Sequence, residues 1–375
     1  MRLFQNILFD WWVMVPVMLL MFFAVITMGS LGNGGDGYLV RQIIWCFISL
    51  GLLVVIANTD VSLLRKSRVL FGIYIFAIGI LFLVIMLGST VKGATSWFQL
   101  GGISFQPSDP VKIILILILA KYLSRRHIEI AHIRHLIVTG AYMFIPFLLV
   151  FLQPDFGSAI IFGCIWFGMI MVSGLPRKYL ILIMVIISFA GGMLWGFVFK
   201  PYQKARIMNF LNPLLDVRGT GYNAYQSMIA VGSGQLIGKG VGFGTQSRLS
   251  FLPEHQTDFI FAAFAEEWGF IGSILVIICY LVILWRILQM ASQGISNFET
   301  LFAIGLVIYF SSHIIINIGM NIGIMPVTGI TLPFMSYGGS HLITECFALG
   351  ILFSLFKRKR QVHQDDMRHE FFGTF

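Results

Sequence analysis

One carboxylate in this chain has a position that suits a catalytic or cation-binding role. Asp258 follows the polar segment L-P-E-H-Q-T at 252–257 and precedes a long apolar stretch, so it lies where a membrane helix would start. A carboxylate at such an interface can act as a general base or bind a cation. The alternative is structural, because Asp258 or Thr257 could cap the helix and complement its dipole.

Two further carboxylates lie within the same apolar stretch. On an ideal helix, Glu266 and Glu267 are roughly 12–14 Å from Asp258 along the axis, and Glu266 is roughly 80° around from it. We therefore expect Glu266 to line the same cavity as Asp258, while Glu267 points to the opposite side. The alternative for Glu266 is a structural hydrogen bond to a neighbouring helix.

Polar side chains also occur at two other predicted helix ends. Asp109 and Lys112 open a helix in Q-P-S-D-P-V-K. Lys112 either faces a headgroup phosphate or pairs with Asp109, which is within reach three residues earlier. Gln153 and Asp155 belong to a tight turn. They provide either a fixed amide and carboxylate beside a cavity or only the turn itself.

Basic residues are frequent in the long polar segment 200–257. Their charge suits an anionic phosphate or diphosphate ligand, although ordinary solvated charge is the alternative for each of them. They are Lys200, Lys204, Arg206, Arg218, Lys239 and Arg248. The same segment has apolar residues at roughly helical spacing, which predicts a short helix on the membrane surface; they are Tyr222, Tyr225, Met228 and Ile229.

The composition indicates that membrane helices position these groups. Hydrophobic residues make up 58% of the chain and charged residues 11%, against roughly 25% charged residues in soluble domains. This argues against a soluble enzyme, a secreted disulfide-stabilised domain and a disordered chain. At roughly 20 residues per span, we predict an all-α polytopic integral membrane protein with about ten transmembrane helices. The apolar stretches are 11–29, 39–58, 69–88, 108–122, 135–152, 156–173, 178–199, 258–288, 300–321 and 334–356.

The distribution of basic residues predicts the orientation of these spans. Most Lys and Arg residues lie on the side that holds both termini, which the positive-inside rule places in the cytoplasm. The long loop 200–257, between the seventh and eighth spans, is then extracytoplasmic, and 357–375 is a cytoplasmic tail. The net charge of +9 is therefore mainly a topology signal, and we expect no nucleic-acid partner.

The polar segments, taken in order, resemble those of the SEDS family (shape, elongation, division and sporulation). The likeness covers nearly the whole chain, which we interpret as a single SEDS-type transmembrane domain over 1–375. The short N-terminus favours the rod-shape branch of the family over the division branch. The matching segments are K-G-A-T-S-W-F at 92–98, F-Q-P-S-D-P-V-K at 105–112, L-Q-P-D-F-G-S-A at 152–159, Y-N-A-Y-Q-S-M-I-A-V-G-S-G-Q at 222–235, L-P-E-H-Q-T-D-F-I-F-A at 252–262, A-E-E-W-G-F-I-G at 265–272 and M-P-V-T-G-I-T-L-P-F-M-S-Y-G-G-S at 325–340.

This resemblance implies a peptidoglycan glycosyltransferase in the bacterial cytoplasmic (inner) membrane. The enzyme would polymerise lipid II into β-1,4 glycan strands at the outer membrane face, with inversion and release of undecaprenyl diphosphate. It implies a role in elongation and rod shape. The implied partners are a class B penicillin-binding protein, which supplies the transpeptidase, and other membrane proteins of the elongation complex.

The resemblance also assigns residues. Asp258 matches the essential acidic residue of the family, and as a base it would deprotonate the acceptor sugar hydroxyl. Lys112, Lys204 and Arg206 are candidate contacts of the diphosphate, which a divalent cation (Mg or Mn), with Asp258 as a ligand, could also stabilise. Trp97 would hold sugar or lipid at the interface. Further candidate substrate contacts are Asp109, Gln153, Asp155 and Glu266.

The chain departs from the family pattern at a few positions. Asp109 stands where the family usually has Glu, and Gln256 stands where it usually has His, with His255 one residue earlier. Glu345 is not expected from the family; we predict that it pairs with His313, which lies at a similar depth.

Two other functions compete with the polymerase. A flippase for lipid-linked precursors would account for ten spans and intramembrane charges, but no repeat symmetry is visible in the sequence. A non-catalytic scaffold would leave Asp258 and the basic loop without a role.

Overall fold

The structure is a computed structural model that describes residues 10–30, 35–91, 94–100, 103–125, 133–199, 201–212, 221–249, 251–294 and 296–372. A helix occupies each of the ten predicted spans. These helices are α1 (Trp11–Ser30), α2 (Gly35–Asn58), α3 (Ser67–Leu87), α4 (Ser108–Ser124), α5 (Ile133–Leu152), α6 (Phe156–Val172), α7 (Arg177–Met193), α11 (Ile260–Ser292), α12 (Asn297–Asn321) and α13 (Gly339–Phe372). Between α7 and α11 the described residues form a π-helical turn (Leu194–Val198) and three shorter α-helices: α8 (Pro201–Leu211), α9 (Tyr222–Ser233) and α10 (Thr245–Arg248).

The long helices define a polytopic membrane fold. Eight of the described helices are long and apolar enough to cross a membrane, and the apolar α6 is shorter. Helix α4 has 17 residues, most of them buried, and it packs against α3, α5, α6, α12 and α13. A short helix suits this central place because neighbouring helices, and not lipid, surround it. Helix α7, in contrast, is exposed along most of its length.

Several element boundaries differ from the sequence-based prediction. The last membrane helix begins at Gly339, because residues 331–338 form an irregular segment with turns. It continues through the predicted tail as far as Phe372. The predicted helix at Tyr222 is present as α9, but it packs against α11 and α12, with Ser227 and Ala230 buried.

A small antiparallel sheet, which the sequence analysis did not predict, joins α3 to α4. Its strands are β1 (Ser89–Val91), β2 (Ala94–Leu100) and β3 (Ile103–Phe105), in the order β1-β2-β3. In β2, Trp97 pairs with Ser89 of β1, and Phe98 pairs with Phe105 of β3. Strand β2 is attached to the turn between α5 and α6, because the backbone amide of Thr95 donates to the carbonyl oxygen of Gln153 at 3.2 Å.

Helix α11 is broken at Gly269, where the prediction was one continuous helix. Gly269 has φ 66° and ψ −162°, which only glycine adopts readily. The amides of Phe270 and Ile271 donate to the carbonyls of Gln235 and Leu236, at 2.8 and 3.1 Å. The polar backbone groups that the break frees are thus satisfied by the segment 235–240, as membrane depth requires.

The same segment also satisfies the carbonyls on the other side of the break. The amides of Lys239 and Gly240 donate to the carbonyls of Glu266 and Glu267, each at 3.0 Å. Gly238 makes this approach feasible, because a Cβ placed there would lie 2.1 Å from the Glu267 carbonyl oxygen. Gly238 therefore allows the loop to pack against the backbone of α11.

Substitution of Gly238 should consequently destabilise the protein. Gly238→Ala combines the 2.1 Å clash with a φ of +88°, so we expect about 2 kcal/mol or more of lost stability. Gly232→Ala in α9 is the matched control, because its Cβ would meet nothing within 4 Å and alanine favours a helix. Thermal melts of both purified variants in detergent test this; equal melting temperatures would contradict the packing described here.

Candidate active site

Asp258 lies in a compact turn that directly precedes α11. The amides of Thr257 and Phe259 both donate to the carbonyl of Glu254, at 3.2 Å, and Glu254 itself has φ +53°. Helix α11 begins at Ile260 and its N-terminus has no side-chain cap, so the capping alternative for Asp258 is not what the structure shows. The Asp258 side chain is partly exposed.

Two buried asparagines of α12 hold the backbone of Asp258. The side-chain amides of Asn317 and Asn321 donate to the Asp258 carbonyl oxygen, at 2.9 and 3.1 Å. Asn321 also accepts a hydrogen bond from the amide of Ala262, at 3.0 Å. Because both asparagines are fully buried, these bonds are shielded from water and fix the position of the carboxylate relative to α12. Sequence reasoning missed this pair, although two asparagines one turn apart in an apolar helix need polar partners.

The segment before α13 holds the turn from a second side. The Ser336 hydroxyl donates to the Thr257 carbonyl at 2.6 Å, and the Tyr337 amide donates to the Gln256 carbonyl at 2.9 Å. Gly329, with φ +75°, lies beside the carboxylate, since a Cβ placed there would be 3.5 Å from Asp258 Oδ2. Asp258 is therefore held by backbone contacts while its side chain stays accessible.

A cluster of ionisable residues lies buried next to the segment that precedes α13. This buried charge cluster consists of Asp109, Lys112, His313, His341 and Glu345. Lys112 Nζ donates to Asp109 Oδ1 at 3.0 Å, and both side chains are almost fully buried. His341 lies 3.7 Å from Asp109 through Nδ1 and 2.8 Å from Glu345 through Nε2. Of the two alternatives for Lys112, the structure thus shows the pair with Asp109.

The predicted pairing of His313 with Glu345 is wrong. His313 Nδ1 contacts the Thr331 carbonyl at 3.1 Å, whereas Glu345 accepts from the Phe334 amide at 2.9 Å and pairs with His341. Sequence reasoning missed His341, although its i,i+4 spacing from Glu345 was a usable signal. The His313 ring lies near that of His341, with 5.1 Å between centroids and 33° between the ring planes.

Gln153 and Asp155 make contacts that shape the turn between α5 and α6. Gln153 is buried and donates through Nε2 to the Leu81 carbonyl at 3.0 Å. Asp155 caps α6 by accepting from the Ser158 amide at 3.0 Å, and it accepts from Gln106 Nε2 at 2.8 Å. These contacts match the structural alternative, and a substrate contact by either residue stays a prediction.

The other predicted substrate contacts are spread over the same end of the bundle. Trp97 is half-buried in β2. Lys204 in α8 lies over the Trp195 ring, with Nζ 5.8 Å from the centroid. Arg206 lines a small cavity with Pro154 and Thr328, which places α8 near the segment that continues to Gly329. Lys200 and Arg218 lie outside the described residues.

Glu266 accepts hydrogen bonds from the segment between α9 and α11. Its buried carboxylate accepts from Lys239 Nζ at 2.8 Å, from the Gln246 amide at 2.9 Å and from the Ser247 amide and hydroxyl at 3.1 and 2.9 Å. Because Gln246 and Ser247 belong to α10, the structure shows the structural alternative, a bond to a neighbouring helix, together with the bond to Lys239 in the loop. The expectation that Glu266 lines a cavity with Asp258 gains no support from this geometry.

Fold and site together define a polytopic helical membrane protein with an accessible carboxylate held at the start of a membrane helix. A family model described as cell cycle protein, covering FtsW, RodA and SpoVE, matches residues 2–361. The chain therefore belongs to the FtsW/RodA/SpoVE family, which is the SEDS family that the sequence motifs resemble.

Curated relatives and solved structures agree with this assignment. The chain is similar to peptidoglycan glycosyltransferase MrdB of Escherichia coli (strain K12), with 35% identity over 356 residues that cover 92% of this chain and 94% of the relative. It is similar to a chain of a peptidoglycan synthase complex that coordinates polymerization and crosslinking, with TM-score 0.80, 29% identity and coverage of 94% and 98%. It is also similar to the rod shape-determining protein RodA of Thermus thermophilus, with TM-score 0.69, 26% identity and coverage of 93% and 97%.

Loss of Asn321 should loosen the active-site turn. Asn321→Leu removes one of the two amide bonds to the Asp258 carbonyl and takes the side-chain acceptor from the buried Ala262 amide, at about 1–3 kcal/mol. We expect a lower melting temperature and a roughly tenfold or larger loss of turnover in the folded fraction. The control is Asn58→Ala, whose side chain bonds only exposed groups. Unchanged stability and turnover in Asn321→Leu would show that Asn321 does not position Asp258.

Proposed function

We propose that the chain is a peptidoglycan glycosyltransferase that polymerises lipid II into β-1,4 glycan strands at the outer face of the cytoplasmic membrane. The observation that carries the proposal is the partly exposed carboxylate of Asp258, whose backbone is fixed by Asn317 and Asn321. The kinship with a peptidoglycan glycosyltransferase and a rod shape-determining protein supports a role in cell elongation.

The chemistry needs one base and a stabilised leaving group. Asp258 takes the proton of the acceptor sugar hydroxyl as its oxygen attacks the anomeric carbon of the donor. The bond from that carbon to the diphosphate breaks, and undecaprenyl diphosphate leaves with the bonding electron pair. Attack from the face opposite the leaving group inverts an α-linked donor to a β-linked product. Because diphosphate is a competent leaving group, no strong general acid is needed.

The leaving diphosphate requires positive charge. Lys204 and Arg206 on α8 are the candidates nearest the outer surface, and Arg206 is exposed beside the segment that leads to Gly329. Lys112 is almost fully buried and paired with Asp109, which supports a positioning role for it. Trp97 offers a half-buried aromatic face for sugar or lipid at the interface.

A divalent cation, Mg or Mn, is compatible with this donor set. No three His, Cys, Asp or Glu side chains of the described residues lie close enough to hold a metal ion. Asp258 would therefore supply a single protein ligand, and substrate phosphates the others, as Mg²⁺ commonly accepts. Bound there, the cation would neutralise charge on the diphosphate.

The proposed topology follows the positive-inside rule, with both termini in the cytoplasm and the active site outside. The chain's similarity to a member of a peptidoglycan synthase complex that coordinates polymerization and crosslinking supports a class B penicillin-binding protein as partner. Other membrane proteins of the elongation complex are further proposed partners.

A flippase for lipid-linked precursors is the second candidate function. Two observations favour it: the buried charge cluster within the bundle and the break of α11 at Gly269. Intramembrane charges and discontinuous helices are typical of transporters. The chain's similarity to a peptidoglycan glycosyltransferase favours the polymerase.

An assay with fluorescent lipid II decides between the two functions. The purified chain is incubated with this substrate, with and without a penicillin-binding partner whose own transferase is inactive, and products are separated by gel. Long glycan strands are expected for the polymerase. No polymer under any condition, together with lipid II translocation in liposomes, would establish the flippase.

A further inference from the structure

A cavity lies at the end of α4, remote from Asp258. We propose that this cavity binds an anionic phospholipid. We call it the α3–α5 pocket; it has a volume of about 380 Å³ and is lined by residues of α3, α4 and α5, with Arg125 at its rim. Asp109 and Arg125 are 16 residues apart on α4, roughly 24 Å along the helix, so the pocket is distinct from the active site.

Three basic side chains line the pocket. They are Arg68, Lys121 and Arg125. None of the three forms an ion pair with another described residue. The nearby Arg65 is different, because it is paired with the buried Glu299. No acidic side chain occurs among the described residues that line the pocket, so this lining offers no carboxylate to neutralise the three cations.

The pocket also has apolar and aromatic lining. Phe71, Ile118 and Tyr142 belong to it; Ile118 lies seven residues before Arg125, roughly 10 Å closer to the middle of α4. Phe71 is exposed although it is a large apolar residue. This combination of cations and apolar surface matches a lipid whose phosphate contacts the basic residues and whose acyl chains follow the helices.

This combination favours an intact phospholipid over a soluble phosphate. A free phosphate would use only the cations, and it would leave the surface of Phe71 and Ile118 uncovered. A zwitterionic headgroup carries its own positive charge, which Arg68, Lys121 and Arg125 would repel. In the proposed orientation the pocket opens to the cytoplasmic leaflet, where anionic lipid is the matching ligand.

Native mass spectrometry of the purified full chain tests the proposal, with phosphatidylglycerol and phosphatidylcholine of identical acyl chains as probes. We expect phosphatidylglycerol to bind about tenfold more tightly or better. The triple variant Arg68→Gln, Lys121→Gln, Arg125→Gln should lose this preference. The control Arg177→Gln, Lys178→Gln, which removes two exposed cations at the start of α7, should retain it.

A substitute variant and a soluble phosphate probe complete the test. If the triple variant fails to fold, Arg125→Glu replaces it, because Arg125 is exposed and its reversal should still weaken phosphatidylglycerol binding. Equal binding of the two lipids, or an unchanged preference in the variants, would overturn the proposal. Saturation by glycerol 3-phosphate at the same concentrations would show that the pocket binds phosphate alone, and it would overturn the proposal of an intact phospholipid. Because lipid binding and polymerisation are measured separately, failure of one leaves the other intact.

Discussion

The Asp258→Asn variant should fold and insert into membranes but make no glycan polymer. The substitution keeps the shape of the side chain and removes its basicity. The hydrogen bonds that position residue 258 use its backbone carbonyl, which Asn317 and Asn321 contact, so they survive the change. Loss of a general base lowers turnover by roughly 10²–10⁴-fold. The measurement is the rate of strand formation from fluorescent lipid II, with a thermal melt of the same sample.

A carboxylate four residues earlier supplies the matched control. Glu254 is exposed and bonds the Thr257 hydroxyl at 3.0 Å, so Glu254→Gln changes charge in the same turn without touching the proposed base. This variant should keep most of the activity. Long strands made by Asp258→Asn at the wild-type rate would rule out Asp258 as the base, whatever the result for Glu254→Gln.

The course of the chain through the membrane was predictable because it depends on local properties. Apolar stretches of about 20 residues cannot leave their backbone unpaired in lipid, so each of the ten becomes a helix. The boundary position of Asp258 followed from the same pattern. The strands of 89–105 escaped prediction because each is short, and their pairing gives no periodicity that a single sequence reveals.

Other features escaped prediction because they depend on contacts between distant parts of the chain. A glycine inside an apolar helix is compatible with a continuous helix, so nothing local indicated the break at Gly269; the break is stable because residues 235–240 reach it from another part of the chain. The bonds from Asn317 and Asn321 to Asp258 span 59 and 63 residues. A sequence shows that a buried amide needs a partner but does not show which carbonyl it will find.

Lys112 offers the second large effect. Its side chain is 2% exposed and lies 3.0 Å from Asp109, so Lys112→Met leaves a buried carboxylate without its main partner. Removing one member of a buried ion pair typically costs about 3–5 kcal/mol. We therefore expect a large fall in melting temperature and in polymerisation. Lys239→Met should have a smaller effect, because Lys239 is 27% exposed and Glu266 keeps its bonds to Gln246 and Ser247.

The double variant Asp109→Asn, Lys112→Met separates a structural role from a chemical one. It removes both charges together, so stability should return toward that of the wild type, since the penalty of an unpaired buried charge disappears. Recovery of polymerisation along with stability would make the pair a structural strut that positions the site. Recovery of stability alone would mean that the Lys112 charge acts on the diphosphate. Equal activity of the Lys112→Met and Lys239→Met single variants would remove Lys112 from the site altogether.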